Sequence, residues 1–280
     1  MDDRRPERAI VPAAGYGTRL RPLTRAIPKE MLPLGRRPVL EYVVQELKEA
    51  GIRRILFVVS PAKDMIRAYF GDGSEHGVSC EYALQPRMLG LGDAILRGEE
   101  WAGGRPFVVA FGDCIVRSAH PVGSRPLDRM LRTHAAERAD ATVLTEYVDA
   151  EATRKYGILR PASAVAQPAD GPFRVASLVE KPSPEAAPSR QAVAARWVLS
   201  PDIFPRLRAA RPGPNGEIGL TDCVAEWVAQ GARLWAEPLL EQESRLDVGG
   251  FATYLAAAVQ AAFEDEEYGA ALLSRYATRQ

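Results

Sequence analysis

Cysteine is scarce. Cys80, Cys114 and Cys223 are the only three in 280 residues, widely separated and never in a C-x-x-C pair, which argues against a disulfide framework or a thiolate zinc site. Histidine is equally rare, and His76, His120 and His134 have no ligand-like spacing, so they are assigned to the surface or to packing. No run of 18 apolar residues occurs, and the opening MDDRRPERAIVPAAGYG is charged and then only briefly apolar, too short for a signal segment. A cytoplasmic protein without a membrane partner is expected. Neither sign of charge is in excess, because 36 Lys plus Arg face 36 Asp plus Glu. Arg4, Arg5 and Arg8 have no aromatic interleaving, so a nucleic-acid partner is not expected either. No self-similar period is present, which sets aside solenoids and propellers. What remains is an ordinary globular composition, 46% hydrophobic and 26% charged, on a chain long enough for a full core.

Strand-like and helix-like segments alternate along the first part of the chain. Ala9 to Pro12 is a short apolar run that stops at small residues and glycine, as a buried parallel strand feeding a phosphate loop would. Val39, Leu40, Val43, Val44 and Leu47 recur at helical spacing up to Gly51, and Ile55 to Val59 reads as a second buried strand. Ser60-Pro61 has the order of an N-cap followed by a first-turn proline, ahead of a stripe of Met65, Ile66, Tyr69 and Phe70. Val78 to Leu84 predicts a strand, Leu89 to Trp101 a helix, and Phe107 to Phe111 a strand ending at Gly112-Asp113. Such alternation places helices on both faces of a mainly parallel sheet, with ligands beyond the carboxyl ends of the strands.

From Ala119 the pattern changes. Leu127 to Arg138 reads as a helix and Ala141 to Tyr147 as a strand. Shorter strands at Gly157 to Arg160, Val175 to Val179 and Val193 to Leu199 suggest a mixed or antiparallel extension of the sheet. Helices return after a Thr221 N-cap candidate and after Gly250, where Tyr254, Leu255, Val259 and Phe263 form a stripe. No clean linker divides the chain. It is taken as one domain over 1–280, in three parts: 1–118, 119–250 and a C-terminal helical segment at 251–280.

The most informative stretch is AAGYGTRLRPLTRAIPKEM, from Ala13 to Met31. Small residues after a strand let backbone N–H groups approach an anion, and Arg19, Arg21, Arg25 and Lys29 add positive charge, so a polyphosphate is the natural ligand. Gly15 and Gly17 match the first two positions of G-x-G-x-x-G, but Leu20 occupies the third and no G-K-[ST] follows. Both facts disfavour a nicotinamide-dependent oxidoreductase and a P-loop ATPase. A surface turn with solvated arginines is the alternative at this point.

The string G-x-G-T-R-L-x-P-x-T, closing on PKEMLPL from Pro28, resembles the signature loop of the sugar-1-phosphate nucleotidyltransferases, and most closely that of the bacterial UTP-glucose-1-phosphate uridylyltransferases. The resemblance continues through Gln85 and Gly90, Gly112-Asp113, Tyr156-Gly157, Glu180-Lys181-Pro182, APSRQAVAARWVLSPDIF, GEIGLTD from Gly216 and LDVG from Leu246. It implies an α/β fold of three layers, the nucleotide-diphospho-sugar transferase fold, with a mixed, mainly parallel central sheet and helices on both faces. It also implies magnesium-dependent nucleotidyl transfer from UTP to glucose 1-phosphate, giving UDP-glucose and pyrophosphate. Residue by residue, it implies that Ala13, Ala14, Gly15, Gly17 and Thr18 cradle the nucleotide, while Arg19 and Lys29 meet its phosphates. Asp113 and Asp247 would hold magnesium, with Asp113 also at the nucleotide and in catalysis. Gln85 and Gly90 would read the pyrimidine, and Gly157, Glu180, Lys181 and Glu217 would receive the sugar phosphate. Members of the family commonly form homo-oligomers, dimers or tetramers.

The chain departs from the uridylyltransferase pattern on the sugar side. Arg190 stands where Asn is usual, Ala195 where Gly is usual, and Gly219 where Gln is common; the methyl of Ala195 is expected to crowd the sugar. Tyr69 to Gln85 is short and looks more like the thymidylyltransferases, so a glucose-1-phosphate thymidylyltransferase using dTTP is the nearest alternative. A catalytically silent nucleotide-sugar-binding regulator is the alternative from another class. Cys114, beside Asp113, is read as a buried, inert thiol.

Overall fold

The computed structural model describes residues 5–276 apart from 62, 167 and 214; Arg4 and residues 277–280 of the expected C-terminal segment lie outside the described residues. Strand β1 (Arg8–Pro12) leads into a loop with short 3-10 turns. A two-stranded ribbon follows, β2 (Pro33–Leu34) with β3 (Arg37–Pro38), and then helix α1 (Val39–Glu49). All five apolar residues of the expected α1 stripe are buried. Next come β4 (Arg54–Val59), α2 (Asp64–Phe70), β5 (Ser79–Leu84), α3 (Leu91–Leu96), α4 (Glu99–Ala102), β6 (Phe107–Ala110), β7 (Cys114–Ser118) and α5 (Pro126–Ala136). The rest comprises β8 (Ala141–Tyr147), β9 (Gly157–Pro161), β10 (Phe173–Glu180), β11 (Gln191–Leu199), α6 (Ile203–Ala209), α7 (Leu220–Ala229), β12 (Leu234–Pro238), β13 (Glu243–Asp247), α8 (Phe251–Phe263) and α9 (Gly269–Tyr276).

Nine strands form one sheet in the order β5-β4-β1-β6-β11-β8-β12-β10-β9. β5, β4, β1 and β6 run parallel; β11 opposes both β6 and β8, β12 follows β8, and β10 opposes both β12 and β9. All strands but β10 and β11 therefore share one direction, which is the mixed, mainly parallel sheet expected. Strand alternation sends Ile10, Leu56, Phe107 and Val109 to one face, under α3, α4, α6 and α7. Ala9, Val11, Phe57 and Val108 go to the other, under α1, α2 and α5. Three layers result. Beyond them, α8 packs Ala257 and Ala261 on Ile115 and Val248, beside the separate β7–β13 ribbon.

Several boundaries differ from the sequence reading. Ser60-Pro61 does not open α2: the Lys63 N–H donates to the Ser60 carbonyl (3.0 Å), closing a turn, and the helix starts at Asp64. The helix expected over Leu89 to Trp101 is two, interrupted at Gly98, where the backbone lies so close to β1 that a Cβ would sit 2.4 Å from Ile10 Cδ1. Gly219, not Thr221, stands at the cap of α7. β11 begins at Gln191 and is buried throughout, including Arg196 at 0% exposure. The Arg196 guanidinium is matched on all sides: it donates to both carboxylate oxygens of Glu46 (3.0 and 2.6 Å) and to the Ala195 and Cys114 carbonyls (3.0 and 2.8 Å). A buried charge persists only when it is satisfied in this way.

His134 is a packing residue, 4% exposed, with Nδ1 3.1 Å from Thr142 Oγ1. Burial pushes its imidazole down to about 4. The unfolded chain takes up a proton near pH 6.5 and the folded one does not, so stability is lost as pH falls from 6.5 towards 4. Between pH 7.5 and 5 this linkage should cost wild type about 2 kcal/mol more than it costs His134→Gln, measured by urea unfolding at the two pH values.

Candidate active site

The loop after β1 is fastened before it reaches any ligand. The Ala13 N–H donates to the Val58 carbonyl (2.8 Å), and Thr24 Oγ1 donates to the Gly17 carbonyl (2.8 Å). Gly17 takes φ +61°, and a Cβ there would lie 2.9 Å from Thr24 Cγ2. The loop brings Lys29 to the end of β6, where its ammonium contacts the Asp113 carboxylate. Burial alone would lower the Lys29 ammonium and raise the Asp113 carboxyl, but their contact outweighs it in both. Both groups therefore stay charged.

Asp247 is brought to the same place by the β7–β13 ribbon, in which it pairs with Cys114. The Val248 N–H donates to the Asp113 carbonyl (3.0 Å), and the Gly249 N–H donates to Asp247 Oδ1 (2.7 Å). A Cβ on Gly249 would fall 2.9 Å from an Arg19 nitrogen, so this glycine lets the guanidinium lie against the backbone beside Asp247. Burial pushes the Cys114 thiol up to about 12, so the cysteine between these groups is inert, as expected.

Two cavities meet here. The smaller, about 270 Å³, is lined by Ala14, Gly15, Lys29, Glu30, Gln85, Met88 and Gly90 among others. The larger, about 650 Å³, is lined by Arg19, Lys155, Tyr156, Gly157, Glu180, Lys181, Ala195, Trp197, Asp222, Arg245 and Asp247 among others. Leu91, Phe111, Asp113 and Glu217 border both, which puts Asp113 at the junction. The wall between them is tight. The Ile218 N–H donates to the Leu89 carbonyl (2.7 Å), the Gly92 N–H donates to the Ile218 carbonyl (2.8 Å), and a Cβ on Gly90 would lie 2.8 Å from Ile218 backbone atoms.

The expected nucleotide set is thus divided. Ala14, Gly15, Gln85, Gly90 and Asp113 line the smaller cavity; Ala13 is buried behind it, Gly17 and Thr18 line neither cavity, and Arg19 faces the larger one. Gln85 is 3% exposed rather than a solvated turn residue. Its amide N–H groups are spent on the Gly90 carbonyl (3.0 Å) and Asp93 (2.8 Å), so its carbonyl oxygen is the group left for a ligand. The four expected sugar-side residues all line the larger cavity. Gly157 also has a packing reason, since a Cβ would lie 2.9 Å from Thr221 Cγ2. Arg190 is turned away, donating to the Val148 carbonyl (2.7 Å) and pairing with Asp149, so this departure does not touch the cavity.

The structure adds residues the sequence did not single out. Lys63 is buried against Glu30, with Nζ 2.7 Å from the carboxylate and 2.6 Å from the Ala13 carbonyl. Arg245 stacks over Tyr156 (4.3 Å) in the wall of the larger cavity. Asp222 is raised by burial and by neighbouring Glu180. The signal for Arg245 was its place two residues before Asp247; Lys63 carried none.

A family model for nucleotidyl transferases matches residues 8–264. The chain belongs to the nucleotidyl transferase family. A UTP–glucose-1-phosphate uridylyltransferase of Pseudomonas aeruginosa is 34% identical to this nucleotidyltransferase over 249 residues, covering 81% of this chain and 87% of the relative. Among solved structures, a UTP-bound UGPase from Acinetobacter baumannii superposes with TM-score 0.85 at 29% identity, covering 98% of this chain and all (100%) of that one. A UDP-glucose pyrophosphorylase complexed with UDP-glucose gives TM-score 0.81 at 33% identity, over 90% of this chain and 97% of that one.

The departure at Ala195 is structural. β11 loses register with β8 between Val193 and Trp197, and Ala195 between them takes φ +62°, the left-handed region, with its methyl group in the wall of the larger cavity. A side chain there costs about 1–2 kcal/mol, while glycine gives back about 0.4–1 kcal/mol through unfolded-chain entropy. Ala195→Gly should therefore leave stability unchanged or raise it by up to about 1 kcal/mol, unlike an ordinary buried alanine-to-glycine change in a strand. Urea unfolding checks this, and a loss above about 1 kcal/mol contradicts it.

Proposed function

We propose that this nucleotidyltransferase transfers the uridylyl group of UTP to glucose 1-phosphate, releasing pyrophosphate and forming UDP-glucose. The observation that carries the reading is the junction of the two cavities at Asp113, with the Lys29 ammonium held there. The names of the relatives supply the substrates: a uridylyltransferase acting with glucose 1-phosphate, a UTP-bound enzyme and one complexed with UDP-glucose. The uracil side of UTP belongs in the smaller cavity, where the Gln85 carbonyl accepts from the imide N–H and Gly90 gives the ring bare backbone. The sugar phosphate belongs in the larger, with Lys181 neutralising its phosphate, Glu180 and Glu217 accepting from hydroxyls, and Gly157 beneath the ring.

In this reading an oxygen of the sugar 1-phosphate attacks the α-phosphorus of UTP in line, a P–O bond forms, and the bond to the β-phosphate breaks. The chain supplies position and charge rather than a nucleophile. Ala13, Ala14, Gly15, Gly17 and Thr18 shape the loop over the phosphates, Lys29 stabilises charge on the reacting phosphoryl group, and Arg19 takes up charge on the departing pyrophosphate. Magnesium takes oxygen ligands, usually one or two carboxylates completed by phosphate oxygens and water. Asp113 and Asp247 would supply two carboxylates to it: the ribbon pairs Asp247 with Cys114, the residue after Asp113, and both aspartates line the larger cavity. When bound, the ion neutralises phosphate charge.

We take the chain as one domain, with the nucleotide side in residues 1–118, the sugar side in 119–250 and the helical segment after them. A homo-oligomer, dimer or tetramer, is proposed on Phe251, Leu255 and Val259 of α8, which present exposed apolar side chains. A cytoplasmic location is proposed on the three free, buried thiols. No helix among the described residues is long and apolar enough to cross a membrane.

Pyrophosphate release with magnesium, crossing UTP, dTTP, ATP, CTP and GTP with glucose, galactose and glucosamine 1-phosphates, tests the reading. UTP with glucose 1-phosphate should give the highest kcat/KM; a dTTP preference would make the protein a thymidylyltransferase, and silence across the grid would make it a binder. Lys29→Ala and Arg19→Ala should each lower kcat/KM by about 10²–10³, as loss of one preorganised charge does, and Asp113→Ala should abolish turnover. Arg19 is exposed, so Arg19→Ala should melt with wild type.

A further inference from the structure

Three carboxylates act on the Lys29 charge, those of Asp113, Glu30 and Asp247, and Asp113 is the one its ammonium contacts. Asp113 stands at the cavity junction, whereas Glu30, 1% exposed, lies at the back of the smaller cavity and acts on the Lys29 charge alongside Asp113. Burial raises the Glu30 carboxyl, and an unpaired charge there would draw on the neighbouring Lys29 ammonium. Glu30 is not left alone. Lys63, 7% exposed and lining neither cavity, reaches in from the turn between β4 and α2 and places its ammonium 2.7 Å from Glu30 Oε2. The same ammonium donates to the Ala13 carbonyl at 2.6 Å, at the first residue of the phosphate loop. Two buried acceptors thus converge on one lysine that touches no ligand space.

We propose that Lys63 is a positioning residue for nucleotidyl transfer: it takes up the charge of Glu30, leaving Lys29 to the reacting phosphate, and it pins the start of the phosphate loop. The two contacts have separable kinetic consequences. Loss of charge uptake diverts Lys29 and lowers kcat, because Lys29 acts on charge that develops in the transition state. Loss of the Ala13 tie loosens the loop that receives the triphosphate and raises KM for UTP. The inference rests on the role given to Lys29 above, and Lys29→Ala, measured in the same assay, tests that role independently.

The experiment measures kcat and KM for UTP, with glucose 1-phosphate and magnesium, in the full chain carrying Lys63→Met, Lys63→Arg or Glu30→Gln with Lys63→Met. Lys63→Met should lose about 100-fold in kcat and gain about tenfold in KM. The double variant removes both charges, so it should keep the raised KM but recover kcat to within about tenfold of wild type. Lys63→Arg keeps the charge beside Glu30 and should stay within about tenfold in kcat. A merely structural role would lower kcat in the single and double methionine variants alike, and that result, or wild-type kcat in Lys63→Met, overturns the proposal. Should Lys63→Met fail to show a cooperative melt, the other two decide: kcat within about tenfold in both supports the proposal, and a loss beyond about 100-fold in the double variant overturns it.

Discussion

Keeping an ammonium and a carboxylate charged in the same half-buried spot is the constraint around which this site is arranged. Lys29 and Asp113 meet beyond the ends of β1 and β6, adjacent strands of the sheet, and burial works against the charge of both. Each offsets the penalty on the other, and the surroundings are fitted to that contact. Gly112 sits close to the same group, since a Cβ there would lie 3.2 Å from Glu30 Cγ and from Leu40 Cδ1. Lys63 absorbs Glu30 on one side. On the other, Arg196 of β11, on the face covered by α1, holds the Cys114 carbonyl, one residue past Asp113, with Glu46 of α1 as its counterion. Three ion pairs from distant parts of the chain thus converge on a few ångströms of backbone, which is where a parallel sheet offers its ligand site.

The parts of this arrangement that were legible in the sequence are those written in local patterns. The apolar runs of β1, β4 and β6 are strong because both sheet faces are covered there, and with the α1 stripe they mark the layers. The loop from Ala13 to Met31 combined small residues and cations within one short segment, which is enough to name a polyphosphate. What stayed hidden was pairing over long separations. β7 and β13 are short, and Arg117, Glu243 and Arg245 break any apolar run, so neither segment reads as a strand; yet their ribbon is what sets Asp247 beside Asp113. Lys63 looked like part of a helix start because Ser60-Pro61 is a good cap sequence, and only the Ser60–Lys63 turn turns the lysine inward. The division of the loop between the two cavities, with Arg19 on the larger one, could not be taken from the loop itself.

The two sides of the site are built to different standards. In the smaller cavity Gln85 is spent on two partners and Gly90 is enclosed by backbone. The larger cavity holds several charged groups, Glu180 paired with Lys181 (3.1 Å), Lys155 and Asp222, and a strand in which Ala195 sits in a conformation that favours glycine. Strain tolerated in the wall of a binding cavity is usually retained for what it does to the occupant. The Ala195 methyl group is the feature that distinguishes this wall from one closed by bare backbone.

The contact between Gly90 and Ile218 carries a consequence for how such a protein can change over time. These residues are far apart in the chain, but their backbones touch, and each belongs to the wall of a different cavity. A lineage that adds bulk at position 90 must shift the segment that carries Glu217, which borders both cavities, and so reshapes the two together. Change in either cavity is then recorded as covariation between two segments that no reading of local sequence would connect.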